Sequence, residues 1–226
     1  MMTFFLGGHM KQKLSISYQE VMRYAMCQQL DAQSKQQLEK AMQKISEIAT
    51  HQYHFIILEK EDCLIQQMCQ QSKTFRQHIK ECHHIIMIGV TIGIQVDRLL
   101  KRLQSQNMSD ALWHNAVANA YVEALCDDIN EQLKQYYVKQ NQYLTDRFSC
   151  GYADLSLTWQ KDIIQRLDAS KKIGLYVNEA MLLQPEKSVT AMIGIANIPQ
   201  RARIRGCAYC DKKSNCEYRK GGIRCE

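Results

Sequence analysis

The sequence predicts an α+β protein in which long helices pack on a mostly antiparallel sheet. Three observations carry this. Apolar residues recur at steps of three and four over several long stretches, as on one face of a helix. Residues 51–58 and 85–90 are runs rich in aromatic and branched residues, which suits strands. Helix and strand signals follow one another without the clean alternation that a parallel α/β sheet shows.

Residues 1–13 carry no clear pattern. Ser17, with Glu20 three residues on, is a capping box that opens a first helix, and Ser34 with Gln37 repeats the signal. Behind it Leu38, Ala41, Ile45 and Ile48 form one apolar face. Tyr53, Phe55, Ile56 and Ile57 mark the strand at 51–58. Ser72 is placed to cap a short helix with Phe75, Ile79 and Cys82 on one side. Residues 85–90 form a buried strand that runs through Thr91-Ile92-Gly93 into a helix bearing Val96, Leu99, Leu100 and Leu103. Gly93 at that turn suits close approach of a ligand or close packing equally.

The longest helix is expected over 110–139, with Ser109 as its cap and Ala118, Val122, Leu125, Ile129, Leu133 and Tyr136 as its core stripe. Glu123 falls on another face, in line with Ala116 and Ala120. Small residues beside a carboxylate leave room for a ligand, although most glutamates simply face solvent. Residues 156–167 make a short helix with Trp159, Ile163, Ile164 and Leu167 inward. Lys172-Ile173-Gly174 turns into a strand at 175–177, and Pro185-Glu186-Lys187-Ser188 into a strand at 189–196. These two strands are expected to pair antiparallel.

With 226 residues, 46% hydrophobic and 23% charged, and two prolines, the composition is that of a soluble, helix-rich domain with room for an appendage. The net charge of +6 is uneven: residues 201–226 hold eight Lys or Arg against three Asp or Glu. No secretory signal and no membrane-length apolar window is visible, so a cytoplasmic protein with reduced thiols is expected, without a membrane partner. The basic end has no interleaved aromatic ladder of the kind that stacks on single-stranded nucleic acid, which argues against that partner class.

Four of the ten cysteines lie at that end: Cys207, Cys210, Cys216 and Cys225, spaced by two, five and eight residues. A two-residue gap lets two thiolates ligate one centre from one turn. In a reducing compartment this spacing points to metal, and four thiolates suit zinc or an iron–sulfur cluster. Pro199 and the run Arg201-Ala202-Arg203-Ile204-Arg205-Gly206 set the expected boundary between a domain at 1–200 and a basic metal-binding tail at 201–226.

Between the long helix and the next lies Arg147-Phe148-Ser149-Cys150-Gly151-Tyr152. Arg offers a planar fork for a carboxylate, Gly admits close backbone approach, and Tyr offers a flat face with a polar tip. Alone, these six residues also read as a plain helix exit.

The spacing Arg-x-x-x-Gly-Tyr resembles the S-adenosylmethionine-binding motif of the activation domain of cobalamin-dependent methionine synthase. Other pieces resemble that family in the same order, over about residues 17–196. They are Tyr18-Gln19-Glu20-Val21-Met22-Arg23-Tyr24, Gly89-Val90-Thr91-Ile92-Gly93 with Val96-Asp97-Arg98, and Ala116 to Ala124. After the motif come Lys172-Ile173-Gly174-Leu175, Asn178-Glu179 and Pro185-Glu186-Lys187-Ser188-Val189.

The resemblance implies a twisted, mostly antiparallel sheet under long helices. It also implies S-adenosylmethionine held by Arg147 at its carboxylate, by Gly151 and Tyr152 as the wall, and by Glu123 at its ammonium group or ribose. The corrinoid would sit on a partner: a cobalamin-binding methionine synthase core or another corrinoid protein, served by an electron-donor protein. The chain would then be a stand-alone reactivation component in reductive methylation of cob(II)alamin, part of a methyltransferase system and not catalytic alone. A docking module with a zinc knuckle is the alternative from a different class. Two departures stand out. Met192-Ile193-Gly194 occupies the place of aromatics, and Ala153-Asp154 replaces a Pro-containing turn. The cysteine tail is this chain's own.

Overall fold

The computed structural model describes residues 14–200. Strands β1 (Gln52–Glu59), β2 (Cys82–Thr91), β3 (Tyr143–Leu144) and β6 (Ser188–Ala196) form one antiparallel sheet in the order β1-β2-β6-β3. A separate ribbon pairs β4 (Tyr176–Val177) with β5 (Leu183–Gln184). The strand at 175–177 therefore does not pair with the one at 189–196. The intervening residues fold back on themselves first, and β6 is free to fill the centre of the main sheet.

Strand periodicity explains why this sheet is covered on both sides. Along β2, Ile86, Ile88 and Val90 enter one core, while Ile85 and Met87 enter the other. Along β6, Ala191, Ile193 and Ile195 alternate likewise with Met192 and Ala196. The first core is covered by α1 (Tyr18–Tyr24), α2 (Ala32–Ile48), α5 (Ile94–Gln106) and α6 (Met108–Val138). The second is covered by α3 (Cys63–Gln71), α4 (Lys73–His78), α7 (Gln160–Arg166) and α8 (Ala169–Ile173). No helix among the described residues is long and apolar enough to cross a membrane.

The helix starts show which capping signals the chain uses. Ser17 caps α1 as expected, but its hydroxyl accepts from the Gln19 N–H, and Glu20 turns to an ion pair with Arg23 in place of the reciprocal box. Asp31, not Ser34, caps α2: its carboxylate accepts from the Ser34 N–H at 2.7 Å. Asn107, not Ser109, caps α6, accepting from the N–H groups of Ser109 and Asp110. In both cases a longer Asx side chain three or two residues earlier reaches the free N–H groups first. Ser72 caps α4 as expected, with Phe75 and Ile79 buried beneath it, whereas Cys82 already belongs to β2.

α6 spans about 46 Å and is buried on most of its circumference. Leu125, Ile129 and Leu133 lie in the core as expected, but Tyr136 is exposed and Tyr137 is buried in its stead. Gly93 caps α5 with φ +90°, and a Cβ there would collide with the Thr50 hydroxyl. Its role here is a tight, left-handed turn against the end of α2.

Candidate functional site

Arg147 leaves the sheet edge and lies against α6. Its Nη2 donates to Glu123 Oε2 at 3.0 Å and sits 2.9 Å from Asp127 Oδ1. Glu123 and Asp127 are one helical turn apart, so both carboxylates stand on the same side of α6. The Arg147 side chain is 15% exposed, those of Glu123 and Asp127 40% and 63%. The guanidinium is thus tucked in, and the carboxylates that hold it are reached from solvent.

The next residue faces the other way. Phe148 is fully buried in the second core and exchanges both backbone hydrogen bonds with Met192 of β6, at 2.9 and 2.8 Å. Its ring packs edge-on against Phe75 at 5.3 Å and against Tyr152 at 5.5 Å. Tyr152 is half-exposed, with one side of its ring resting on this pedestal. Gly151 has φ +79°, a left-handed conformation that glycine adopts without penalty, and its N–H donates to the Leu155 carbonyl at 2.9 Å.

Asp154 closes the loop. Its carboxylate accepts from Ser72 Oγ at 2.5 Å and from the Thr74 N–H at 3.2 Å, at the start of α4. These hydrogen bonds, the Ser72 hydroxyl foremost, pull its pKa down to about 2. Two thiols flank the site and stay protonated at neutral pH. Burial pushes Cys126 and Cys150 each up to about 12, against the pull of Arg147 in the case of Cys126. On the other side of Glu123, burial and then the Glu123 charge raise the Tyr24 hydroxyl, whose ring carries the Arg23 guanidinium at 4.4 Å.

The structure therefore brings Arg147 and Glu123 into direct contact and sets Gly151 and Tyr152 on an anchored loop immediately beyond. Arg147 and Glu123 lie against α6, which covers the first core, whereas Tyr152 packs on Phe148, whose ring belongs to the second. A cleft of about 430 Å³ lies elsewhere, lined by Gln140, Asn141, Gln142, Tyr143, Asn197 and Pro199.

The sequence profile of the family described as "Vitamin B12 dependent methionine synthase, activation domain" matches residues 25–204. The chain belongs to that family. Among curated proteins none matches it. Among solved structures, the crystal structure of the MetH reactivation domain bound to AdoHcy aligns with a TM-score of 0.56 at 14% identity, over 93% of this chain and 78% of that chain. At that identity the likeness is one of fold, an α+β domain with a shared architecture.

Several of the pieces that resemble the activation domain interlock away from Arg147. The buried Asp97 carboxylate accepts from the Glu186 N–H at 2.6 Å, and Lys187 Nζ donates to Asn115 and Asn119, both at 2.8 Å. Ser188 donates to Thr91 Oγ1 at 2.8 Å, which also accepts from the Gly93 N–H at 3.1 Å. Burial pushes the pKa of Asp97 up and that of Lys187 down. This knot ties the β2–α5 turn, α6 and the start of β6 together, so those motif pieces position the activation-domain frame.

Sequence reasoning did not single out Asp127, Tyr24 or Phe148 as neighbours of the candidate residues. Asp127 was legible, because it lies four residues after Glu123 on a helix. Tyr24 ends one of the quoted pieces and carried that much signal. Phe148 carried none, since its place depends on a bridge to a strand more than forty residues on. Cys207, Cys210, Cys216 and Cys225 lie outside the described residues. Among the described residues no cluster of His, Cys, Asp or Glu is arranged to hold a metal ion.

Proposed function

We propose that this chain binds S-adenosylmethionine on the Arg147 face and presents it to cobalamin carried by a partner, acting in trans as the reactivation component of a cobalamin-dependent methionine synthase. The observation that carries this reading is the ion-pair geometry. Arg147 already holds carboxylates at 3.0 and 2.9 Å, and both are accessible to solvent. An amino-acid carboxylate can take their place without burying a new charge. Exchanging one carboxylate for another leaves the guanidinium paired throughout, so no unpaired buried charge is created.

The residues divide the ligand between them. Arg147 takes the carboxylate by a charge-assisted fork. Glu123, released from Arg147, meets the ammonium group or the ribose. Gly151 turns the chain tightly beside the ligand, and Tyr152, braced on Phe148, forms the adjoining wall. The partner's corrinoid, when docked, supplies a cobalt that accepts an electron and a methyl group. A site reached from solvent suits this task, because the docked partner then completes the enclosure and excludes water. The ligand bound to the MetH reactivation domain, AdoHcy, is S-adenosylmethionine without its methyl group, which supports the ligand class.

Residues 201–226 are read as a separate basic unit. Cys207, Cys210, Cys216 and Cys225 would bind zinc or an iron–sulfur cluster, and the cluster would suit delivery of the electron. The Cys-x-x-Cys spacing supports this. Titration calorimetry with S-adenosylmethionine tests the central reading. The wild-type chain is expected to bind, and Arg147→Ala to bind at least about 30-fold more weakly, as loss of a charge-assisted pair entails. Equal binding by both removes Arg147 from the site.

A further inference from the structure

We propose that the adenosine half of S-adenosylmethionine lies along α6 over Asn119 and Asn115, and that Lys187 is the positioning residue that orients both carboxamides. This inference rests on the reading that Arg147 holds the amino-acid end, and it assigns the rest of the ligand. Asn115, Asn119, Glu123 and Asp127 follow one another at four-residue steps, so they form one polar stripe on the helix. The stripe carries two cations. Arg147 sits on Glu123 and Asp127 at 3.0 and 2.9 Å, and Lys187 Nζ sits on Asn115 and Asn119, both at 2.8 Å. The centres of the two clusters are eight residues apart on α6, about 12 Å along its axis. An extended ligand with a carboxylate at one end and a purine at the other covers a span of that order.

β6 links the two clusters. Its Met192 bridges Phe148, next to Arg147, and the strand begins at Ser188, next to Lys187. Between them Val189 is partly buried against the first core, the side that α6 covers. The mount of Lys187 is fixed from two directions. The buried Asp97 of α5 accepts from the Glu186 N–H at 2.6 Å, and Ser188 donates to Thr91 Oγ1 at 2.8 Å.

Hydrogen-bond chemistry selects the part of the ligand. An ammonium group only donates, so Lys187 fixes each carboxamide with Oδ1 toward itself and Nδ2 away from it. Neither Nδ2 group has a partner among the described residues, and both side chains are partly exposed. Two free donors suit a neutral group rich in acceptors. Ribose and purine supply hydroxyl oxygens and ring nitrogens, and a carboxamide that donates through Nδ2 and accepts through Oδ1 is the usual asparagine contact to adenine. With the ligand's ammonium group on Glu123, Asn119 meets the ribose one turn away and Asn115 the adenine ring a further turn on. In the opposite direction the stripe continues through Asp127 to Glu131, carboxylates that offer a purine nitrogen no donor.

Titration calorimetry of the full chain with S-adenosylmethionine tests this on the wild type, Asn119→Asp, Asn115→Asp and Arg147→Ala. Each Asp substitution keeps an oxygen on Lys187 and removes the outward donor, so the fold is preserved, and a denaturant melt checks that it is. The added negative charge would by itself draw in a cationic ligand, so weaker binding reads the lost donor. Both Asp variants are expected to bind about tenfold more weakly than the wild type, with an unchanged melt. Wild-type affinity in the Asp variants, beside lost binding in Arg147→Ala, overturns the adenosine assignment and leaves the Arg147 reading standing. Weakened Asp variants beside an unaffected Arg147→Ala support the adenosine assignment and remove Arg147 from the amino-acid end. A wild-type chain that does not bind overturns both.

Discussion

Arg147 is shared between two carboxylates of one helix face, and the ligand it is proposed to bind must compete with both. Asp127 is the more exposed of the two and has no assigned part in holding the ligand. Asp127→Asn is therefore expected to tighten S-adenosylmethionine binding by roughly threefold to fivefold, the worth of one surface pair, and to change stability by less than about 0.5 kcal/mol. Calorimetry and a denaturant melt check the two halves separately. Asp154 adds a pH dependence. Its folded-state value, about 2, lies below the ordinary 3.8. Its anchoring of the loop is thus fully present above the ordinary value and is lost as pH falls through the folded one. The melting-temperature gap between wild type and Asp154→Ala should accordingly close between pH 4 and pH 2. A gap that stays constant over that range would mean that Asp154 stabilises the loop without its charge. The sequence singled out Arg147 and Glu123 through their motif and spacing. That they touch each other, and that Phe148 braces Tyr152, depends on where β6 lies and was not.

The helices were legible by their apolar faces and less so by their starts. Leu38, Ala41 and Ile45 are buried as their spacing demands. Asp31 and Asn107 displace Ser34 and Ser109 as caps, because several candidates within one turn compete and only the backbone geometry selects among them. Strands β3 and β5 are each two residues long, too short for a period of two to register, whereas β4, equally short, was marked by the glycine turn before it. The turn at Gly93 carries the firmest consequence at this scale. Its φ of +90° and the nearby Thr50 hydroxyl leave no room for a side chain. Gly93→Ala is expected to destabilise the protein by about 1–3 kcal/mol, read as a lower denaturant midpoint with unchanged slope. A midpoint within error of wild type would mean that the β2–α5 turn adjusts freely.

Across the whole molecule, the α+β class and the antiparallel sheet followed from the sequence, whereas the strand order did not. Local patterns mark a strand but not its neighbour. The expected pairing of 175–177 with 189–196 failed for that reason, with β6 taken instead by β2 and β3. Ending the chain after Gln200 is expected to leave S-adenosylmethionine binding within about twofold of the full chain, while bound metal, assayed by elemental analysis and visible absorbance, is lost. A truncated chain that retains stoichiometric metal would remove the four terminal cysteines as ligands. Binding of S-adenosylmethionine on this face requires one exchange of partners at Arg147. A crystal structure with S-adenosylhomocysteine bound measures it directly. The ligand's carboxylate is expected at hydrogen-bond distance, about 2.7–3.2 Å, from the Arg147 guanidinium, with Glu123 moved off it. A ligand seated in the cleft between Gln140 and Pro199, with Arg147 still on Glu123 and Asp127, would contradict it.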